Sequence, residues 1–423
     1  VARLRDGIVQ EHLDEASFLV GALRAALDSP DHTLDEVASG EEERLLAHVD
    51  GLVVALELDG AARLERTLAP AALDGGDVAV AAVAAIASAP DPELRAWSLR
   101  MAPEASPTAL LAWGEGLARA PGLDDAALVR AWLAERGAAA EPILVDALAR
   151  RGVDVGTRAL DVVDPELELG AFVRLTRAHA EGAARSARVW PAAEGHLDPD
   201  VVASALELAV LAGDRAAWSF VSAALATPGP MTALAAQLIA TLGRPDDVRR
   251  LARRLDDAAA REAVLFALGF SGLPEVVDAI LGCVDDEATN PRAAEAYAAI
   301  TGFDAALLGA TRARPEPDAL PPLEDDDLEA PVLPSPDAAL PLVDPEALRE
   351  HWREVRGRLS AGERYARGRP LAAVGLGALL ATEPTRRRAP WARELWLRSA
   401  GRTHVVPSAP TASQRRALAA TRG

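Results

Sequence analysis

His12 and Glu15 lie three residues apart, and His48 is followed two positions later by Asp50. On a helix, residues three or four apart share one face. Two facing helices of that kind are how bundle proteins assemble divalent-metal sites from imidazole and carboxylate. Here each helix supplies single residues and lacks the repeated Glu-x-x-His that such sites use. The cluster His12, Glu15, His48 and Asp50 is therefore read as an interhelical polar contact, with no metal and no cofactor. The remaining histidines, His32, His179, His196, His351 and His404, are scattered, and none completes the His-Glu-x-x-His pattern of a zinc protease. One cysteine, Cys283, excludes an internal disulfide. It falls in the apolar stretch 276–284, where a buried structural thiol is expected.

Other catalytic signatures are missing. A chain without lysine cannot carry a Walker-type phosphate loop, and Gly375-x-Gly377 lacks the third glycine of a dinucleotide site. No Gly-x-Ser-x-Gly elbow appears. The chain is thus expected not to be an enzyme. A second concentration of chemistry lies near the C-terminus, where Trp352, Tyr365, Arg364, Arg369 and the triplet Arg386, Arg387 and Arg388 interleave aromatic rings with guanidinium groups. Those two residue types dominate protein interfaces, so these seven are the candidate partner-binding residues. Trp391 and Trp396 stand beside them, whereas Trp97, Trp113, Trp132 and Trp218 lie among apolar neighbours and are expected in the core.

Charge separates the same two regions. Net charge is −20, yet residues 345–423 hold 16 Arg against 6 Glu and no Asp, a balance of +10 that leaves −30 for residues 1–344. An acidic body repels nucleic acid, so a protein partner is expected and nucleic acid is not. The basic segment should dock on the acidic body or on an acidic partner, because arginine pairs bidentately with carboxylate.

The elements that must position these residues are helices. Six times a short polar residue precedes proline at the head of an Ala/Leu/Val-rich run: Asp91-Pro92, Ser106-Pro107, Asp164-Pro165, Asp198-Pro199, Asn290-Pro291 and Asp344-Pro345. The polar side chain can accept from the free N–H groups of a first turn, and proline suits the first helical position. Val9, Leu13, Ala16, Val20, Leu23 and Leu27 form one apolar stripe, and Leu45, Val49, Leu52 and Leu56 form another. Thr33 with Glu36 reads as a capping box. Between about 70 and 312 the chain alternates helix and break in units too short to bury their own apolar faces, so neighbours must stack. The expected fold is all-α: a HEAT-like α-solenoid with an N-terminal helical pair and a small C-terminal helical block. The expected domains are 1–66, a helical cap; 67–312, the repeats; 313–343, an acidic Pro-rich linker; and 344–423, the basic block and tail. No apolar run is long enough to span a bilayer, and a cytoplasmic, soluble protein without membrane insertion is expected.

Particular residues add a resemblance. The segment Ile8-Val9-Gln10-Glu11-His12-x-x-Glu15-Ala16-x-Phe18-Leu19 and the later Leu45-x-Ala47-His48-x-Asp50-Gly51-Leu52 resemble the opening of a group of proteobacterial HEAT-like-repeat proteins. Glu295-Ala296-Tyr297-x-x-Ile300-Thr301-Gly302 is similar to that family's last repeat. Asp344-Pro345-Glu346, Trp352, Gly362-x-Arg364-Tyr365 and Gly368-Arg369-Pro370 are similar to its C-terminal block. The family has no established biochemical activity, and its genes often lie beside those for type VI secretion spike proteins, tip proteins and effectors. The resemblance implies a scaffold or adaptor accessory to loading such cargo. Two other readings stand beside it: a HEAT-fold enzyme of the DNA glycosylase or bilin lyase type, and a purely structural subunit of a larger complex. A glycosylase needs a basic groove, which the −30 body argues against.

Overall fold

The computed structural model describes residues 6–101, 107–134, 140–153, 190, 199–314 and 336–420. Among these the chain is predominantly helical and falls into two compact units. Unit 1 comprises residues 1–28, 32–214 and 395–423; unit 2 comprises 29–31 and 215–394. This division differs from the boundaries expected at 66, 312 and 343. The segments on both sides of the Pro-rich stretch belong to unit 2, and the basic C-terminal region is shared between the units.

Unit 1 opens with α1 (Asp6–Ala26) and α2 (Glu43–Asp59), packed along their predicted stripes. Val9, Leu13, Ala16, Val20 and Leu23 are buried against Leu45, Val49, Leu52 and Leu56, while Leu27 is partly buried. Between these helices Thr33 and Glu36 form the capping box, and a π-helical turn, Ala38–Glu42, leads into α2. The helices α3 (Gly76–Ser88), α4 (Pro92–Arg100), α5 (Pro107–Arg119), α6 (Asp125–Ala134) and α7 (Glu141–Arg150) then alternate between two layers. α3, α5 and α7 pack side by side, and α4 packs on α6. α3 is buried along nearly its whole length and is built from Ala, Val and Ile. Small side chains let its neighbours approach: a Cβ on Gly116 of α5 would lie 2.8 Å from the Val80 carbonyl oxygen. Trp113 and Trp132 are buried as expected and donate to the Ser98 carbonyl and the Glu141 carboxylate. Trp97 and Trp218 are only partly covered. α8 (Pro199–Leu211) is the last repeat helix of this unit.

Unit 2 repeats the arrangement. It contains α9 (Arg215–Ala226), α10 (Thr232–Leu242), α11 (Pro245–Ala252), α12 (Ala258–Ser271), α13 (Val277–Leu281) and α14 (Asn290–Thr301). α10, α12 and α14 pack each on the next, and α11 and α13 cover them. Two short strands, β1 (Thr311–Arg312) and β2 (Leu342–Val343), pair antiparallel with Thr311 opposite Val343. The described flanks of the Pro-rich stretch are therefore pinned to each other within unit 2. Most of the expected linker, residues 315–335, lies outside the described residues. α15 (Pro345–Val355), α16 (Leu376–Thr382) and most of α17 (Arg388–Arg398) complete unit 2, and α18 (Thr411–Ala420) belongs to unit 1.

The helix-entry signals can be checked one by one. Asp91 and Asp344 cap α4 and α15 by accepting from the N–H groups of Glu93 and Glu346. α5 and α8 begin at Pro107 and Pro199, but Ser106, Asp164 and Asp198 lie outside the described residues. Asn290 stands at the helix start next to the cap residue Thr289, but its side chain does other work. It is the first residue of α14, and its side chain bonds the Val284 and Val343 carbonyls and the Val343 N–H instead of capping the helix. Burial explains the choice, because a buried amide must satisfy both its donor and its acceptor, and β2 offers both.

Candidate functional site

The C-terminal part of unit 2 is anchored by a hairpin whose strands are two residues long, β3 (Tyr365–Ala366) and β4 (Arg369–Pro370). Helix C-termini leave carbonyls without intrahelical partners, and this hairpin supplies the donors. Tyr365 N–H donates to Gly272 at 2.7 Å, and the N–H groups of Arg367 and Gly368 donate to Ala299 and Ile300 at 2.8 Å. Such backbone-to-backbone approach needs glycine. Gly272 and Gly302 sit at φ 67° and 79°, and a Cβ on them would lie 2.5 and 2.6 Å from the carbonyl oxygens of Tyr365 and Arg367. Arg364 completes the cap by donating to the carbonyls of Phe270 and Ser271 at 2.8 Å and Thr241 at 3.3 Å. Glu394 holds the same guanidinium bidentately at 2.5 and 3.0 Å. A cation at two helix C-termini also complements their dipoles.

The arginine triplet lies at the entry to α17, around the 3-10 turn Thr385–Arg387. Arg386 reaches Asp337 at 2.8 Å and Glu295 at 3.4 Å, and its guanidinium lies over the Phe266 ring. Arg387 donates to Glu383 at 2.9 Å and to the Gly269 carbonyl at 3.2 Å, 4.3 Å above Phe270. Arg388, fully buried, donates to the Leu380 carbonyl, and burial pushes its guanidinium down to about 10. Burial opposes the charge on Glu383, but Arg387 and Arg367 more than offset it and hold the carboxyl below its usual range. Burial pushes the Glu295 carboxyl up, against the opposing pull of Arg387 and Arg386.

The candidate partner-binding residues are thus mostly committed inside the unit. Trp352 is buried and donates to Asp278 at 2.7 Å, and Tyr365 is buried and donates to Glu363 at 2.8 Å. Arg386, Arg387 and Arg388 are buried, and Arg364 is engaged by helix ends. Arg369 is exposed. These side chains therefore serve the packing of unit 2, and the physical reason is the carboxylate supply. Glu295, Glu383 and Asp337 stand where the guanidinium groups can be dehydrated and paired. The expected docking of basic segment on acidic body does occur within unit 2, where Arg349 pairs with Asp285 at 2.5 Å.

What remains open is a cleft of about 570 Å³ above this network. Asp31, Glu295, Asp304, Thr311, Arg367 and Arg387 contribute its polar lining, with Phe303, Val343 and Pro384 among the apolar walls. Arg367 pairs with Glu383 at 2.8 Å and is partly exposed. The wall at residues 303–306 continues into a tight turn that ends at Gly309, at φ 62°. Asp304 accepts from Leu307 N–H at 2.9 Å, and Ala310 N–H donates to Ala305 at 2.8 Å. This ordered turn leaves Leu307 81% and Leu308 59% exposed. Sequence reasoning missed both leucines and the three carboxylates. The available signal was an apolar pair between Gly302 and Gly309, just after α14.

In unit 1, α1 and α2 bring His12 and His48 together, Nδ1 to Nδ1 at 3.1 Å, with the rings edge to face. Glu15 and Asp50 stay exposed. No group of three metal-ligating side chains forms among the described residues. Cys283 is only partly buried, and burial pushes its thiol up. No helix among the described residues is long and apolar enough to cross a membrane.

Fold and site define an all-α protein of alternating helical layers with a capped, charge-stitched second unit. Compared with protein families, with curated proteins and with solved structures, the chain matches none.

Proposed function

We propose that this chain is a non-enzymatic protein-binding adaptor, built as a HEAT-like α-solenoid and acting in the cytoplasm as an accessory to type VI secretion. It would hold a spike protein, a tip protein or an effector. The alternation of α3, α5 and α7 with α4 and α6, and of α10, α12 and α14 with α11 and α13, supports the repeat reading. The residues that resemble the family's C-terminal block have structural roles, since Arg364, Tyr365 and Gly368 cap helix ends.

One observation carries the binding role. Leu307 and Leu308 project into solvent from a turn held by its own hydrogen bonds, beside a cleft with apolar walls. Exposed apolar side chains on an ordered turn are costly to leave in water and mark an interaction site when they adjoin a cavity. The test is capture by the tagged full chain of the spike, tip and effector proteins encoded beside its gene, with Leu307→Asp/Leu308→Asp as the comparison. Capture by the parent chain and its loss in a variant with unchanged circular dichroism supports the proposal. No capture of any neighbour overturns the reading, and equal capture by both chains overturns the site.

A further inference from the structure

We infer that the groove of unit 1 that holds α18 is an exchangeable docking site for a partner helix that begins at Ser or Thr and carries paired arginines in its second turn. The first observation is the grip on the helix start. Thr411 N–H donates to both oxygens of Glu42, at 3.0 and 3.1 Å, and the Thr411 hydroxyl bonds the same carboxylate. A carboxylate at a helix N-terminus meets free N–H groups and the positive end of the dipole, a contact that recognises a helix end whatever its later side chains.

The second observation is where Glu42 sits. It closes the π-helical turn Ala38–Glu42 ahead of α2, and π turns are uncommon distortions that cluster at functional sites. Third, the contact is largely polar. α18 buries Thr411, Ser413, Gln414 and only one large apolar side chain, Leu418. Its arginines meet the groove at the edge, Arg415 on Asp35 at 2.5 Å and Arg416 on the Arg151 carbonyl at 3.1 Å. Directional contacts with little apolar area fix an orientation but resist release weakly.

Fourth, the groove is wider than its occupant. A cavity of about 670 Å³ lies alongside, lined by Glu43, Asp50, Arg119 and Arg151 together with Ala412 and Ser413 of the helix itself. Arg119 is 7% exposed; its Nε pairs with Glu115 at 3.0 Å and its Nη2 reaches the Ser408 carbonyl ahead of α18 at 3.5 Å, while its Nη1 has no hydrogen-bond partner. A partner helix with a carboxylate or amide side chain in place of Ala412 would accept from that guanidinium, a contact that this chain's own helix does not make. The occupant is therefore a placeholder, and a helix of this pattern on a cargo protein can replace it.

Naming a cargo rests on the adaptor reading, but exchange in the groove can be tested without one. The probe is a fluorescent peptide with the sequence of residues 405–420, titrated against the full chain and against a full chain carrying Thr411→Val/Arg415→Glu. The substituted chain should bind the probe about tenfold more tightly, because self-competition is weakened, and adding Glu42→Gln should remove about tenfold of that gain. In the parent chain, amides of α18 should exchange with solvent about 100-fold faster than those of α3. Probe binding indifferent to Glu42, or α18 amides protected as well as those of α3, would overturn the inference. Either result leaves the Leu307–Leu308 capture experiment untouched, so the two failures are distinguishable.

Discussion

The two units hold their C-terminal segments in opposite ways. In unit 2 the attachment is made of dehydrated charge and aromatic rings: Arg386, Arg387 and Arg388 are buried, with Glu295 and Glu383 paired to the first two and Phe266 and Phe270 under their guanidinium planes. In unit 1, α18 rests on a helix-end contact and on an Arg415–Asp35 pair whose side chains are 49% and 80% exposed. The difference teaches what arginine contributes in each setting. Buried pairs lose much of their attraction to desolvation, but breaking one leaves an uncompensated charge inside the protein. Exposed pairs cost little to make and little to lose. The first kind fixes a segment in one orientation, and the second lets it leave.

Substitution of Arg387 should break the comparison most severely if it is wrong. Arg387→Ala strips Glu383 of one partner and empties the space over Phe270, so the full chain should lose about 3–5 kcal/mol in denaturant unfolding. Arg415→Ala, measured in the same way, should change stability by about 0.5 kcal/mol or less. Similar losses for the two would show that burial does not separate the attachments.

Acid titration sharpens the contrast by showing where unit 1 does rely on a strong pair. Burial penalises the Glu115 charge, but Arg119, Arg24 and Arg150 hold the carboxyl down to about 2, from 4.5. A folded-state value below the unfolded one means that the stabilisation is complete above pH 4.5 and is lost as pH falls toward about 2. The loss should amount to roughly 3 kcal/mol at most, read from urea unfolding across that window. Arg24→Ala should flatten the profile. A profile already flat in the parent chain would remove this network from the account.

Gly302→Ala comes next in size. At φ 79°, with the Arg367 carbonyl oxygen 2.6 Å from the new Cβ, both backbone strain and a clash oppose the substitution. A loss of about 2 kcal/mol is expected. Amide exchange should localise it to the 364–370 hairpin and the end of α14. A loss spread evenly over unit 2 would mean that the hairpin is not a separate cap.

These positions also show what the sequence could and could not reveal. Caps act over two or three residues, so Asp91, Asp344 and the Thr33–Glu36 box were readable in place. The stripes of α1 and α2 were readable for the same reason, since helical period is local. Arg386-Arg387-Arg388 reads as part of a partner-binding surface because nothing in the triplet reveals Glu295, 91 residues upstream of Arg386, as the carboxylate beneath it. Asn290 followed by proline has the form of a cap, yet β2, more than fifty residues later, takes its side chain. Strands of two residues carry no period at all, so the pairing of β1 with β2 left no mark in the pattern. For the triplet and for the Asn290 side chain alike, the deciding partner is remote in sequence.

The smallest effect tests whether the shallow polar contacts of unit 1 include the histidine pair. Gly51 lies inside α2, where alanine would normally be favoured by about 1 kcal/mol. A Cβ there would stand 2.8 Å from Cε1 of His12 and 2.9 Å from both ring nitrogens. The ring is the end of a flexible side chain, so it can swing away, but it then gives up the 3.1 Å contact with His48. That contact is worth about 0.5–1.5 kcal/mol, so the gain in helix propensity and the lost contact should nearly cancel in Gly51→Ala. Introduced into a His12→Ala background, the same substitution has nothing to displace and should stabilise by about 1 kcal/mol. The double-mutant cycle should therefore return a coupling of about 1 kcal/mol between positions 12 and 51. Full stabilisation by Gly51→Ala in the parent chain would show that the ring does not depend on its seat. A coupling well above that value would place the pair with the buried charges of unit 2 rather than with the exchangeable contacts of unit 1.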